Sequence, residues 1–445
     1  MTFSELNLNA PLLNALNDLG YTTPTPIQEK VFSVMMSGKD VLGIAQTGTG
    51  KTFAYLLPML RQWKYTSDRN PQILILVPTR ELVVQVEKEA KKLTTYTNAV
   101  TLGVYGGTNI KTQIEDVLEG VDIMVATPGR LLDLALNGSL RLKSVKKLVL
   151  DEVDEMLSLG FRYQLTRILD LLPEKRQNLL FSATTTEEVE MFMHDNFNSP
   201  VTIEAAPTGA PLENIEQAAY EVPNFNTKIN LLEKLLSDSE TYSKVLVFAG
   251  TKTLADLLHK QLDEKFPEQI GVVHSNKDQN YRFNTVKKFH NGENRVLIAT
   301  DLIARGLDIF EVTHVINFDT PDVPENYIHR IGRTGRAEKL GKSITFITER
   351  EKEYQDAIEG LMEYTIPIIP LPEDLVISDK LIPEEMPQFR MKNIDVKLPK
   401  RDNIGAAFHE KKDKNKKVNI KMTRADSMKL KYKKPKTRGQ KSKKR

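Results

Sequence analysis

Three groups of residues have the types and spacing that chemistry on a phosphate ester needs. The first is Gly48-Thr49-Gly50-Lys51-Thr52, closing the stretch VLGIAQTGTGKT from Val41 to Thr52. Glycines let backbone N–H groups wrap a phosphate, and a helix starting there points its positive end at the same anion. Lys51 would reach the β- and γ-phosphates and the Thr52 hydroxyl a Mg²⁺ ion. Ala45 stands where the common pattern has its first glycine. The second group is Asp151-Glu152 in LVLDEVDE (Leu148–Glu155). One carboxylate can hold Mg²⁺ and its neighbour can orient or deprotonate an attacking water; Asp151 is assigned to the metal and Glu152 to the base. The third is HRIGRTGR (His329–Arg336), with Arg330, Arg333 and Arg336 three apart. A guanidinium forks onto two oxygens of a transferring phosphoryl group, an effect worth roughly 10³–10⁵ in rate. Together these groups predict binding and hydrolysis of a nucleoside triphosphate.

Such groups need a scaffold that delivers loops to one edge. Short apolar runs at Val41–Ile44, Ile73–Val77, Val121–Ala126, Leu148–Leu150, Leu179–Phe181 and Val201–Ile203 alternate with longer helical patterns. Continuous apolar strands between helices predict a parallel sheet covered on both faces. Residues 4–19 are predicted to form one helix with Ser4 as a cap, ended by Gly20. Ala205–Asn214, with two prolines and a glycine, breaks the rhythm as a linker. The rhythm restarts at Val245–Phe248, Ile270–His274, Val296–Thr300, Val315–Phe318 and Ile344–Ile347, a second α/β domain with no phosphate loop of its own. Two sheets and one nucleotide loop imply that the second domain completes the site across a cleft. Pro367–Met386 is proline-spaced and is expected to be a connector.

Composition limits the remaining choices. Of 445 residues 40% are apolar and 27% charged, ordinary for a globular protein of two or three domains. There is no cysteine, which excludes disulfides and thiolate metal sites and suits a reducing cytosol. MTFSELNLNAPLLNAL lacks the basic start and apolar core of a signal peptide, and no apolar run reaches the roughly 18 residues of a membrane span. A soluble cytoplasmic protein without a membrane partner is expected. The net charge of +3 conceals a division: Pro387–Arg445 holds 22 Lys/Arg against 5 Asp/Glu, a net of +17, leaving −14 on the other 386 residues. The tail has few aromatics, Phe408 and Tyr432 among them, so a disordered segment that holds a polyanion by its backbone is expected.

The ordered motifs resemble those of the DEAD-box RNA helicases of helicase superfamily 2, over about Phe3 to Ile366. The resemblance implies two RecA-like α/β domains, 1–206 and 215–366, joined by a linker at 207–214 and followed by the connector and tail, 367–445. Phe3 and GYTTPTPIQ (Gly20–Gln28) resemble the adenine-reading Q motif, spanning 1–29, with Phe3 stacking on the base, Gln28 hydrogen-bonding it and Tyr21 beside it. Ala45, Gln46, Thr47, Gly48, Thr49, Gly50, Lys51 and Thr52 match the family's phosphate loop, in which Ala45 is normal. Pro78, Thr79 and Arg80 of PTREL, Gly106-Gly107, and Thr127, Pro128, Gly129 and Arg130 match motifs that hold the RNA backbone, as do Thr251, Gln279 with Arg282, and Thr300-Asp301. Asp151-Glu152-Val153-Asp154 stands for DEAD, and Asp154 with Ser182 and Thr184 of SAT would couple hydrolysis to strand separation. Gly306 and Asp308 fall near the nucleotide. Arg333 and Arg336 become the fingers, and His329 links the domains near the γ-phosphate.

What the resemblance implies is an ATP- and Mg²⁺-dependent RNA helicase. It would be monomeric and sequence-tolerant toward structured or duplex RNA, and would act alone or on ribonucleoprotein partners. An ATP-gated RNA clamp shares the same motifs, and a DNA-directed motor fits the Q motif and SAT less well. Three positions depart from the family pattern: Val153 for Ala, read as a packing variant; Ser275-Asn276 for Gly-Asp, given no role; and Phe310 where proline is frequent. His194, His259 and His290 are expected at the surface or in packing, and Trp63 in packing.

Overall fold

In this computed structural model the described residues are 2–45, 49–204, 214–301, 304, 309, 312–335, 340–382, 385, 427 and 431. Gln46, Thr47, Gly48, Gly306, Asp308, Phe310, Arg336, linker residues 207–213 and the lysine-rich tail apart from Ser427 and Lys431 lie outside them. Met1–Met386 forms one compact unit and Pro387–Arg445 a second; Ser427 and Lys431 of the second are helical.

The first unit carries two parallel sheets, the doubly covered α/β class expected. Strands β1 (Val41–Ile44), β2 (Ile73–Leu76), β3 (Thr101–Val104), β4 (Ile123–Ala126), β5 (Lys147–Leu150), β6 (Gln177–Ser182) and β7 (Val201–Glu204) form the first, in the order β3-β4-β2-β5-β6-β1-β7. Strands β8 (Ile215–Glu221), β9 (Val245–Phe248), β10 (Ile270–Val273), β11 (Val296–Ala299), β12 (His314–Asn317) and β13 (Gly341–Ile347) form the second, in the order β10-β11-β9-β12-β13-β8. Alternate residues of a strand face opposite sides. Accordingly Val41, Ile73 and Ile75 sit in one core and Leu42, Ile44, Leu74 and Leu76 in the other. Val245, Val247, Val296 and Ile298 are divided in the same way from Leu246, Phe248, Leu297 and Ala299. Both faces being buried explains why these strands read as unbroken apolar runs.

Two expectations need correction. Residues 4–19 are not one helix: a 3-10 turn at Phe3–Leu6 is closed by Asn7 in a left-handed conformation (φ 52°). A separate helix then spans Ala10–Asp18, and the Asn9 side chain accepts from Leu12 N–H at its start. The Pro367–Met386 segment, expected to be a connector, is docked along its described residues 367–382. Ile368 bridges Ala219 at the β8 edge. Leu371, Leu375 and Ile382 pack on the second core. Side-chain amides of Asn224, Asn226 and Asn230 on and before helix Phe225–Ser237 donate to the carbonyls of Ser378, Lys380 and Val376.

Candidate nucleotide and RNA site

The chemistry-bearing loops leave the C-terminal ends of the strands, where parallel sheets present their ligand sites. After β1, helix Lys51–Gln62 begins on Gly50, whose φ of 90° and closeness to the Gln28 amide leave no room for a side chain. The Gln28 Nε2 donates to the Gly50 carbonyl at 3.1 Å, while its Oε1 accepts from Thr25 N–H at 2.9 Å. The Thr25 hydroxyl donates to the Thr49 carbonyl. Gln28 therefore ties the start of its own helix to the phosphate loop. Phe3 is 4% exposed within the first core, which leaves it no free face for stacking. Tyr21 is 48% exposed and meets Phe53 edge-on at 5.3 Å.

At the end of β5 lie Lys51, Asp151 and Glu152, all buried. The Tyr55 hydroxyl, beside Thr52, donates to Asp151 Oδ2 at 3.0 Å, and burial with the Asp151 charge holds that phenol well above its ordinary pKa. Among the described residues Asp151 Oδ1 and Lys51 Nζ are buried without a hydrogen-bond partner, a costly state for charged groups and one that a ligand could relieve. Burial raises the Asp151 pKa against the pull of Lys51. Burial also pushes Glu152 up to about 7, opposed by Lys51 and by Arg333 and reinforced by Asp151. Glu152 sits in the left-handed region at φ 56°, strained for a non-glycine residue. Arg333, from the turn after helix Pro324–Ile331 of the second sheet's half, is 5% exposed and close enough to act on Glu152. His329 is partly buried on that helix.

Asp154 Oδ2 accepts from Ala183 N–H, Thr184 N–H and the Thr184 hydroxyl, at 3.1, 3.1 and 3.0 Å. Ser182 donates to the Thr184 carbonyl. The acidic loop after β5 and the loop after β6 are thus tied together. Val153 is fully buried in the second core of the first sheet.

A cavity of about 700 Å³ lies between the two halves. Pro78, Thr79, Arg80, Gly106, Gly107, Thr127, Gly129 and Arg130 line one side and Gln279 and Arg282 the other, with Ser275, Asn276 and Lys277. Gly107, at φ 82°, makes space for the Arg80 guanidinium. Thr79 caps helix Arg80–Leu93. Arg130 is buried, donating to Gln113 Oε1 and the Thr108 carbonyl, so it supports the wall. Arg282 pairs with Glu81 across the cleft at 2.7 Å.

Some of the expected RNA residues make other contacts in this structure. Asp301 is gripped by both forks of Arg330, at 2.6 and 2.7 Å, and Arg330 also reaches Asn317 and the Asp319 carbonyl over the Phe248 ring. That removes Arg330 from the finger candidates. Thr251 caps helix Lys252–Lys265. Neither Thr251, Thr300 nor Asp301 lines the cavity. Ser275-Asn276, given no role from the sequence, do line it; their one signal was their position inside HSNKDQ, just ahead of Gln279.

The description of the DEAD/DEAH box helicase family matches residues 25–192, and that of the helicase conserved C-terminal domain matches 227–338. The chain belongs to the DEAD-box helicase family. This DEAD-box protein is 43% identical over 361 residues to the ATP-dependent RNA helicase CshA of Listeria monocytogenes, covering 80% of this chain and 68% of that one. It is 38% identical over 403 residues to the ATP-dependent RNA helicase DeaD of Buchnera aphidicola, covering 90% and 65%. The match thus spans about two thirds of each relative's length. Among solved structures, Saccharomyces cerevisiae Dbp5 bound to RNA and ADP BeF3 gives a TM-score of 0.76 at 29% identity, covering 83% of this chain and 95% of that one. A point variant of Dbp5 in an assembly with Nup159, a Gle1 variant, IP6 and ADP gives 0.60 at 28% identity, covering 83% and 96%. Both halves of this chain therefore have the RecA-like fold. Among the described residues no helix is long and apolar enough to cross a membrane.

Proposed function

We propose that this chain is an ATP-dependent RNA helicase that grips RNA by its backbone and uses ATP hydrolysis to unwind short duplexes or remodel RNA–protein complexes. The observation that carries the reading is the buried cluster of Lys51, Asp151 and Glu152 in one half, joined to the other half by the Arg282–Glu81 pair at 2.7 Å and with the buried Arg333 of that half adding to the electrostatics of Glu152. A site split between two halves hydrolyses ATP only when the cleft is closed. The higher TM-score with RNA-bound Dbp5 than with its ADP-bound assembly supports a closed arrangement.

In this reading the ATP phosphates rest on Gly50 and Lys51, Tyr21 stacks on the base and Gln28 shapes the loop beneath. Glu152 accepts the proton of the attacking water, and Arg333, with Arg336, stabilises charge on the γ-phosphoryl oxygens. Mg²⁺ fits this site. The unsatisfied Asp151 Oδ1 and the Thr52 hydroxyl would hold it, and it would neutralise phosphate charge. RNA lies in the groove of Arg80, Gly107, Gln279 and Asn276, and Asp154 transmits the state of the acidic loop to Thr184. The lysine-rich tail tethers structured RNA nearby.

Glu152→Gln tests the reading. It should bind ATP normally, lose turnover by a factor on the order of 10² or more, and hold RNA in a long-lived complex. Near-normal hydrolysis would remove Glu152 as the base. A wild-type protein that holds RNA through a single ATP without separating short duplexes would be a clamp and not a helicase.

A further inference from the structure

Two cavities open at the N-terminal ends of the first sheet's strands, away from the nucleotide and the groove, and share Trp63. One, of about 290 Å³, is lined by Leu12, Leu60, Leu93, Tyr65 and Tyr96 as well as Trp63. The other, about 70 Å³, is lined by Lys64, Lys146, Lys147, Gln62 and Gln72 as well as Trp63. The helix Lys51–Gln62 ends at Trp63 in extended backbone, and in extended chain successive side chains face opposite ways. That places Trp63 and Tyr65 in the aromatic cavity and Lys64 in the basic one, and the Gln72 amide fixes the turn by donating to the Lys64 carbonyl.

The two sides suit different parts of one ligand. Tyr65 is 73% and Tyr96 47% exposed, an unusual outlay of aromatic surface. Among the described residues none of the three lysines forms an ion pair. Lys146 donates to Gln72, and Lys147 to Gln62 and Gln177, neutral partners that aim a cation without cancelling its charge. Asp68 and Asp40 act electrostatically on Lys146 and Lys147; Asp68 accepts from Ser144 and Asn70, and Asp40 from Asn178, while on the aromatic side Asp18 accepts from the Tyr96 hydroxyl at 2.6 Å. The body around this cluster, outside the tail, carries a net −14.

We propose that this surface is a second RNA site, where an unpaired base stacks in the Trp63–Tyr65–Tyr96 cavity and its phosphate meets Lys64, Lys146 and Lys147. Unpaired bases stack on exposed aromatic rings in a sequence-tolerant way, and cations beside the rings follow the backbone. The site rests on RNA being the substrate of the groove. Ile73 lines the basic cavity and Pro78 the groove, so strand β2 separates the two sites by about 17 Å. A single-stranded extension leaving the groove would span that distance and hold the helicase beside its duplex.

The test compares a blunt duplex just long enough to fill the groove with the same duplex bearing a single-stranded extension on the order of ten nucleotides, within single-strand site sizes. The wild type should bind the extended RNA about ten-fold more tightly. Tyr65→Ala and Lys64→Ala, both at exposed positions, should abolish that gain. They should leave affinity for the blunt RNA and RNA-stimulated ATP turnover unchanged, which separates this site from the groove. Lys64→Ala should also flatten the salt dependence of the gain by about one phosphate contact. An equal gain in wild type and variants, or no gain in the wild type, overturns the proposal. Absence of any RNA stimulation with the blunt duplex would instead overturn the groove reading.

Discussion

Arg282 and Glu81 meet at 2.7 Å across the cleft, with side chains 7% and 4% exposed. One lies on helix Gln279–His290 of the second half, the other on helix Arg80–Leu93 of the first. A buried charge pair contributes little over an apolar pair, yet losing one partner strands a charge at a cost of about 3–5 kcal/mol. Because the pair bridges the two halves, that cost falls on the state in which they meet. Arg282→Gln and Glu81→Gln should therefore each weaken ATP-dependent RNA binding by about 10²-fold while leaving nucleotide binding to the first half intact. In a double-mutant cycle the second substitution should add little. Fully additive losses would mean that the two residues act on RNA separately.

The fold was legible because parallel strands buried on both faces have no polar alternation to obscure them. The strands missed were β3, TLGV, and β8, IEQAAYE, at sheet edges, where burial alternates or is partial. The candidate catalytic residues could be proposed from spacing within single loops, as with Lys51-Thr52 and Asp151-Glu152. What spacing cannot reveal is which partner a charged side chain finds. Arg330 and Arg333 are three residues apart, yet one is locked to Asp301 and the other is buried where its charge lowers the pKa of Glu152. Arg282 is no easier to assign, since its partner lies 201 positions away. Phe3 and Tyr21 are both aromatic, and burial alone tells the core residue from the exposed one.

Val153 tests whether the acidic loop tolerates its extra methyls. The side chain is fully buried among Leu150, Met156 and Leu180 in one core, and its backbone precedes the Asp154 that holds Thr184. Val153→Ala should lower stability by about 1–2 kcal/mol through the cavity it leaves and keep ATP turnover within about two-fold, the scatter of mild substitutions. Melting temperature and RNA-stimulated turnover measure the two effects. A large gain in turnover would show that valine strains the loop.

His314 gives the second half a pH dependence. It is buried on β12, stacked near Tyr242 with ring centroids 4.3 Å apart. Burial, aided by Lys342, lowers its pKa from 6.5 to about 4, against the pull of Glu216 and Asp238. The unfolded chain takes up the proton first, so the neutral histidine's contribution is fully present above pH 6.5 and is lost as pH falls from 6.5 toward 4. The loss should be greatest toward the lower end, and smaller than the full shift implies because the ring is partly solvated. His314→Asn should flatten the denaturant midpoint between those values. An unchanged slope would assign the acid sensitivity to other groups.

Two truncations should separate the docked strap from the tail. Ending the chain at Ile366 removes Leu371, Leu375 and Ile382 from the second core. It also removes the carbonyls that satisfy Asn224, Asn226 and Asn230, and the Lys234–Asp374 pair. The apolar loss alone should destabilise the second half by on the order of 3 kcal/mol and lower RNA-stimulated turnover by exposing the edge of β8. Ending the chain at Pro387 keeps every one of those contacts while removing a net charge of +17. Stability and turnover at saturating RNA should then be unchanged, while RNA affinity falls and its salt dependence becomes shallower. Equal melting temperatures for the two truncations would show that the strap does not stabilise the half it lies on.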